Sequence, residues 1–221
     1  YPEAAERIYV ITNGFEPGDF PRSDPPPVGD PLRIAHTGSF SISHSQRTPQ
    51  PLFLALKDML ADDPSWAQRL HFDLGGGLSE EEQRAAQGLV EAGLLHLEGP
   101  QERAEAIAYQ QRAHALLLVD HARPWVSSNV PGKFYEYLAA ERPVLALGSE
   151  GMVQRMVREL QAGVFARADD PVAIRKTIEE LYDCFCRGEL AVRRDPHFLK
   201  PYHRRELTRS LAQVFDHLVQ S

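Results

Sequence analysis

Residues Pro131 to Leu147, PGKFYEYLAAERPVLAL, put a glycine and a lysine at the start of a helical segment and one acid, Glu136, a turn inside it. Proline suits the first helical position. The sequence therefore places Pro131 there and Val130 at the cap, where valine offers no capping oxygen. The first amides, of Gly132, Lys133 and Phe134, then lack a partner inside the helix. Free amides at the positive end of a helix, with the Lys133 ammonium beside them, make an anion site. Glu136 lies three residues beyond Lys133 on roughly the same face. It is too deep for the anion itself but can accept hydrogen bonds from hydroxyls one step away. A diphosphate joined to a ribose has that layout. The same spacing suits a plain Lys133–Glu136 ion pair on a surface helix, worth about 0.2–0.5 kcal/mol, and the residues alone weigh the two about equally.

Two other turns carry residues suited to the same chemistry. In HTGSFSISHSQRTP, Gly38 follows an apolar run and lets the backbone approach a ligand closely. Arg47, just before the next helical segment, can reach back to a phosphate. Taken alone, this is an ordinary turn with a solvated arginine. In DLGGGLSEEE the glycines do not follow G-x-G-x-x-G, and the run of acids after them repels phosphate. It reads as a flexible turn. The histidines have no metal-like spacing, Tyr135 and Tyr137 read as packing groups with bonded hydroxyls, and no Ser-His-Asp or Cys-His set stands out.

These turns need elements to hold them. Short apolar runs, expected as strands, lie at Arg7–Ile11, Arg33–Thr37, Leu70–Leu74, Leu94–Leu97, Ala115–Val119, Pro143–Leu147 and Gly163–Ala166. Segments with helical spacing separate most of them, at Pro49–Ala61, Ser79–Ala92, Arg103–Arg112, Gly132–Ala140, Gly151–Gln161 and Pro171–Arg187. Ser79 with Glu82 three residues on is a capping box, and Gly93 stops that helix. The run ALLLV has no polar alternation, as a strand covered on both faces requires. Strand–helix alternation of this kind predicts an α/β, doubly wound Rossmann-like parallel sheet with helices on both faces, over residues 1–221 as one domain. Ligands of such sheets bind outside the carboxyl ends of the strands. Glu16 to Pro31 holds six prolines and reads as a long surface loop. Near the C-terminus, Leu207, Leu211, Val214, Phe215 and Leu218 fall at helical spacing, which predicts a helix at about 203–220 with one buried face.

Composition narrows the class. The 221 residues carry a net charge of −7, which argues against a general grip on nucleic acid or on an anionic membrane. No apolar run reaches membrane-spanning length. Cys184 and Cys186 stand two apart, which suits neither a disulfide framework nor a zinc site and points to a reducing, cytoplasmic setting. The chain starts at Tyr1 with neither a methionine nor a signal-peptide pattern, so either a piece of a longer protein or a product with a missing start is expected.

The segment VPGKFYEYLAAERPVLAL resembles the donor-binding signature of GT-B glycosyltransferases, in particular the large retaining group called family four. RIYVITNGFEPGDF is similar to that family's lead-in to its second domain. IAHTGSFSISHSQRTPQPLFLAL is similar to its first nucleotide-domain strand, glycine turn and helix, and YHRRELTRSLAQVFDHL to its closing helix. The resemblance covers nearly the whole chain, with the segments in the right order. It implies that this is the C-terminal, nucleotide-sugar-binding domain of a two-domain enzyme, and that the closing helix packs back toward an acceptor domain. By the same resemblance Gly38 and Ser39 lie beside the donor diphosphate, with serine where many members have arginine, and Arg47 supplies a basic contact. Gly132, Lys133 and Phe134 form the helix start that faces the diphosphate, and Glu136 holds the ribose hydroxyls. Ser128 stands where the family's first motif acid belongs, so Ser128 and Asn129 are candidate sugar contacts. Gly99, Pro100 and Gln101 are candidate base contacts.

The activity so implied is transfer of a sugar, of the hexosyl type, from a nucleoside diphosphate sugar to an acceptor glycan, lipid or small molecule. It belongs to glycan or polysaccharide synthesis, with retention of configuration and without a cofactor or metal. Without an acceptor half the chain should be inactive alone. The alternatives are a GT-B-like sugar-nucleotide epimerase and a non-catalytic nucleotide-sugar-binding module.

Overall fold

Six of the apolar runs become the strands β1 (Leu32–Thr37), β2 (Leu70–Gly75), β3 (Leu95–Leu97), β4 (Ala115–Val119), β5 (Val144–Gly148) and β6 (Gly163–Arg167) in a computed structural model. The structure describes residues 5, 7–21, 23, 24, 26, 27, 29, 31–42, 44–190, 192 and 196–220. The strands form one sheet in the order β3-β2-β1-β4-β5-β6, every neighbouring pair parallel. All five residues of β4 are buried, as its unbroken apolar run requires.

The helices are α1 (Gln50–Asp62), α2 (Trp66–Arg69), α3 (Glu80–Glu91), α4 (Arg103–Arg112), α5 (Gly132–Ala139), α6 (Met152–Glu159), α7 (Pro171–Cys186), α8 (Pro196–Leu199) and α9 (Arg204–Gln220). Leu52, Phe53 and Leu56 of α1, Ala86 and Leu89 of α3, and Ile174, Ile178 and Leu181 of α7 form one core against one face of the sheet. Ile107 of α4, Phe134, Tyr135 and Leu138 of α5, and Val153, Met156 and Val157 of α6 form a second core against the other. The sheet is therefore doubly wound. The capping box is present: Glu82 N–H donates to Ser79 Oγ at 3.3 Å, and Ser79 N–H to Glu82 Oε2 at 2.8 Å.

One expectation changes. Arg7–Ile11 is not a strand. Its apolar side chains lie open, Val10 83% exposed, because no edge of the sheet reaches it. Pairing occurs further on, where Phe15 N–H donates to Tyr202 O and Arg204 N–H to Phe15 O, each at 3.0 Å. The leading segment is thus tied to the residues just before α9. Among the described residues the apolar face of α9 is left partly open: Phe215 is 57% and Leu218 63% exposed, while Leu207 is half-buried beside Gly14. Side chains of the domain hold described residues of the proline-rich loop. The wholly buried Arg142 donates to the carbonyls of Ala113 at 3.1 Å, Gln111 at 2.6 Å and Asp24 at 2.9 Å. Gln111 Nε2 donates to Pro21 O at 2.6 Å. Side chains at the amino edge of the sheet hold the loop where its prolines cannot form a ladder. Among the described residues no helix is long and apolar enough to cross a membrane.

Candidate functional site

The sheet changes direction between β1 and β4. The helix after β1 covers one face and the helix after β4 the other, so a crevice opens at their carboxyl ends. Thr37, the last residue of β1, gathers the elements around it. Lys133 Nζ donates to its carbonyl, its N–H donates to the Tyr137 hydroxyl at 3.3 Å, and Gln110 Nε2 donates to its Oγ1 at 2.9 Å. Behind it, His36 is fully buried, bonds the Leu117 carbonyl through Nδ1 at 2.8 Å and stacks on Phe40. Burial, the Lys133 charge and Arg47 drive its pKa well down, so it is a neutral core histidine.

Gly38 follows Thr37 with φ of +97°, a conformation that favours glycine. Its N–H donates to Gly75 O at 2.6 Å, which sets the two glycine turns side by side. A Cβ on Gly76 would overlap the Gly38 carbonyl, so the DLGGG turn packs closely against the Gly38 turn. Ser39 lies half-buried beside Gly77, and Glu82 of the capping box also accepts from Ser41 N–H at 3.1 Å.

The start of α5 differs by one residue from its expected form. Pro131, not Val130, is the capping residue, and Gly132 is the first helical one. Phe134 N–H donates to Pro131 O at 2.9 Å, and the Phe134 side chain is buried in the core. Phe134 therefore packs, which leaves the Gly132 and Lys133 amides as the candidate anion donors at this helix start. Burial lowers the Lys133 pKa to about 8, with Arg47 adding to the effect and Glu136 opposing it. The ion pair proposed between Lys133 and Glu136 does not form. Lys133 turns to β1, and Glu136 takes Arg103, Nη1 to Oε1 at 3.0 Å.

Arg47 reaches the same edge, 4.0 Å from Asp120 at the end of β4. Asp120 also pairs with Arg123 at 2.9 Å and His121 at 3.4 Å, and His121 stacks on His44. Burial pushes the Asp120 carboxyl up, but the Arg123 hydrogen bond, the His121 backbone hydrogen bond and the neighbouring charges outweigh it and leave its pKa below the ordinary value. Ser128 and Asn129 are exposed on the loop between β4 and α5, anchored by Ser127 Oγ, which accepts from Asn129 N–H at 3.2 Å. Gly99 has φ of +69° in the loop between β3 and α4, with Pro100 exposed beside it. The Gln101 side chain lies over Gly75, and its buried Oε1 accepts no hydrogen bond among the described residues.

Gly38, Lys133 and Gly132 thus converge, with Arg47 next to them and Gln101 on the flank. Among the described residues no contact brings Ser128 to this group. Arg103, Asp120 and Arg123 are neighbours of the site that the sequence reading missed. Asp120 had a signal, since it directly follows an apolar strand at its carboxyl end. Arg103 had none, standing 33 residues from Glu136. Among the described residues no three His, Cys, Asp or Glu side chains converge as a metal site.

The strand order and the crevice at its switch point define a Rossmann-like α/β domain, the fold of one half of the GT-B glycosyltransferase architecture. No family model and no curated protein matches the chain. Among solved structures it is similar to the apo form of the lipopolysaccharide outer core galactosyltransferase WaaB, at 18% identity and TM-score 0.67, over 96% of this chain and 56% of that one. It is similar to sucrose-phosphate synthase from Thermosynechococcus elongatus, at 16% identity and TM-score 0.67, over 99% and 56%. A third is MnaA of S. aureus in a structure with UDP, at 13% identity and TM-score 0.58, over 86% and 46%. The chain spans little more than half the length of the first two.

Proposed function

We propose that this chain is the donor-binding half of a glycosyltransferase, one that moves a sugar from a nucleoside diphosphate sugar to an acceptor. The observation that carries the reading is the meeting of the Gly38 turn with the start of α5 at the switch point, bonded through Lys133 and Thr37. The Gly132 and Lys133 amides, the Lys133 ammonium and Arg47 hold the diphosphate by positioning and charge. Glu136 accepts from the ribose hydroxyls, and Gln101 Oε1 from the base. Ser128 and Asn129 contact the sugar. Those basic groups counter the charge on the leaving diphosphate in place of a metal or other cofactor, and the resemblance to the retaining group implies transfer with retention. That a neighbour of the same fold is known with UDP supports a nucleotide in this crevice.

The acceptor, a glycan, lipid or small molecule, belongs to a further domain, against which the open face of α9 packs. Transfer needs donor and acceptor held in line, so residues 1–221 alone bind donor without turning it over. The setting is cytoplasmic, in keeping with the unpaired Cys184 and Cys186.

Calorimetry with uridine, guanosine and adenosine diphosphates tests this. Glu136→Ala should weaken the best of them about tenfold to a hundredfold, from the loss of charged hydrogen bonds. Arg47→Ala should weaken the diphosphate more than the nucleoside, and its effect should shrink with salt. Unchanged affinity in a folded Glu136→Ala variant would refute the reading.

A further inference from the structure

We infer that Arg103 is a positioning residue: it aims Glu136 at the ribose and couples occupancy of the site, through Asp19, to the segment that leads into the domain. The inference rests on the reading of Glu136 as the ribose acid. Arg103 is the first residue of α4, and its guanidinium forks. Nη1 donates to Glu136 Oε1 at 3.0 Å and Nη2 to Asp19 Oδ2 at 2.7 Å. Three elements far apart in sequence meet on one planar group whose donors are preset in direction.

Stability does not account for this arrangement. The Arg103 side chain is 56% exposed and that of Glu136 26%, and ion pairs at such sites contribute little to folding. Positioning does account for it. A carboxylate has about four acceptor sites. One N–H from Arg103 takes a single site on Oε1, so Oε2 and a second lone pair remain for a vicinal diol. Without Arg103 the glutamate side chain rotates about three torsions. With it, Glu136 presents its open oxygen in one direction.

The other arm reaches the leading segment. Asp19 closes the 3-10 turn Pro17–Asp19, its N–H donating to Glu16 O at 3.0 Å, next to the buried Phe20. The same segment is bonded through Phe15 to Tyr202 and Arg204 at the root of α9. A ribose that steadies Glu136 steadies Arg103, and therefore the segment Asp19 belongs to. Linkage makes the coupling reciprocal.

The test uses the 221-residue chain with uridine, guanosine and adenosine diphosphates, and the 2′,3′-dideoxy analogue of whichever binds best. Arg103→Ala should weaken that diphosphate about threefold to tenfold, the scale of one ordinary net hydrogen bond, because it frees Glu136 to turn without removing it. It should leave the dideoxy analogue unchanged, and Arg103→Lys should recover part of the loss. Saturating diphosphate should slow hydrogen exchange at Phe15, Asp19 and Phe20 in the wild type but not in Arg103→Ala. Wild-type affinity in Arg103→Ala, with Glu136→Ala still impaired, overturns the inference alone. Equal losses for the diphosphate and the dideoxy analogue overturn it as well. If the wild type binds none of the diphosphates, the donor-binding reading falls and takes this inference with it.

Discussion

The Lys133 ammonium donates to the Thr37 carbonyl, joining the first turn of α5 to the carboxyl end of β1 across the switch point of the sheet. A lysine bonded to a carbonyl keeps its full charge, whereas one bonded to a carboxylate is neutralised. Here the acid three residues away is occupied by Arg103. The crevice therefore holds a poorly solvated positive charge beside two main-chain amides, which suits an anion and costs the free protein stability.

That cost sets the first prediction. The Lys133 pKa of about 8 lies below the ordinary lysine value of 10.5. Between those two the unfolded chain binds more protons than the folded one, so Lys133 makes stability rise with pH across that window. Lys133→Met should lack this rise and be more stable at pH 7, by about 1 kcal/mol, while binding nucleoside diphosphate less well. Melting curves of both proteins at pH 7 and pH 9.5 measure it. A methionine variant clearly less stable at pH 7 would contradict the account.

The paired glycine turns give a second. Gly76→Ala sets a Cβ into the Gly38 carbonyl, and backbone cannot yield as a side chain can. We expect a loss of about 1–3 kcal/mol. Gly77→Ala meets the movable Ile42 Cδ1 at 3.3 Å and should change stability by no more than about 0.5 kcal/mol. Urea unfolding of the two variants side by side decides whether Gly76 is a packing position.

Arg142→Met should cost about 2–4 kcal/mol, because it strands buried carbonyls of Gln111 and Ala113 and releases Asp24. The accompanying sign would be faster proteolytic cleavage near Phe20 and Asp24. A variant as stable and as resistant as the wild type would show that the proline-rich loop is held by other means.

Phe215→Glu on the open face of α9 should leave the stability of this chain within about 0.5 kcal/mol, since the residue is already exposed. Thermal denaturation answers the question directly. A drop of several degrees would mean that the face is covered in solution.

Sequence alone determined the repeating αβ order, the capping box of Ser79 and Glu82, the doubly wound sheet and the two turns at its carboxyl edge. Each rests on local periodicity or on a cap within four residues, where the chain's own geometry supplies the partner. Periodicity also misled, at Arg7–Ile11, because an apolar run says that burial is favoured without saying that a sheet edge is there to provide it. Tertiary structure decided the partners. The spacing of Lys133 and Glu136 allows an ion pair, yet Lys133 meets Thr37 and Glu136 meets Arg103, 96 and 33 residues away. Those choices depend on which helix lies across which strand end. Desolvation at the sheet edge then ranks the possible contacts, and no window of the sequence contains that information.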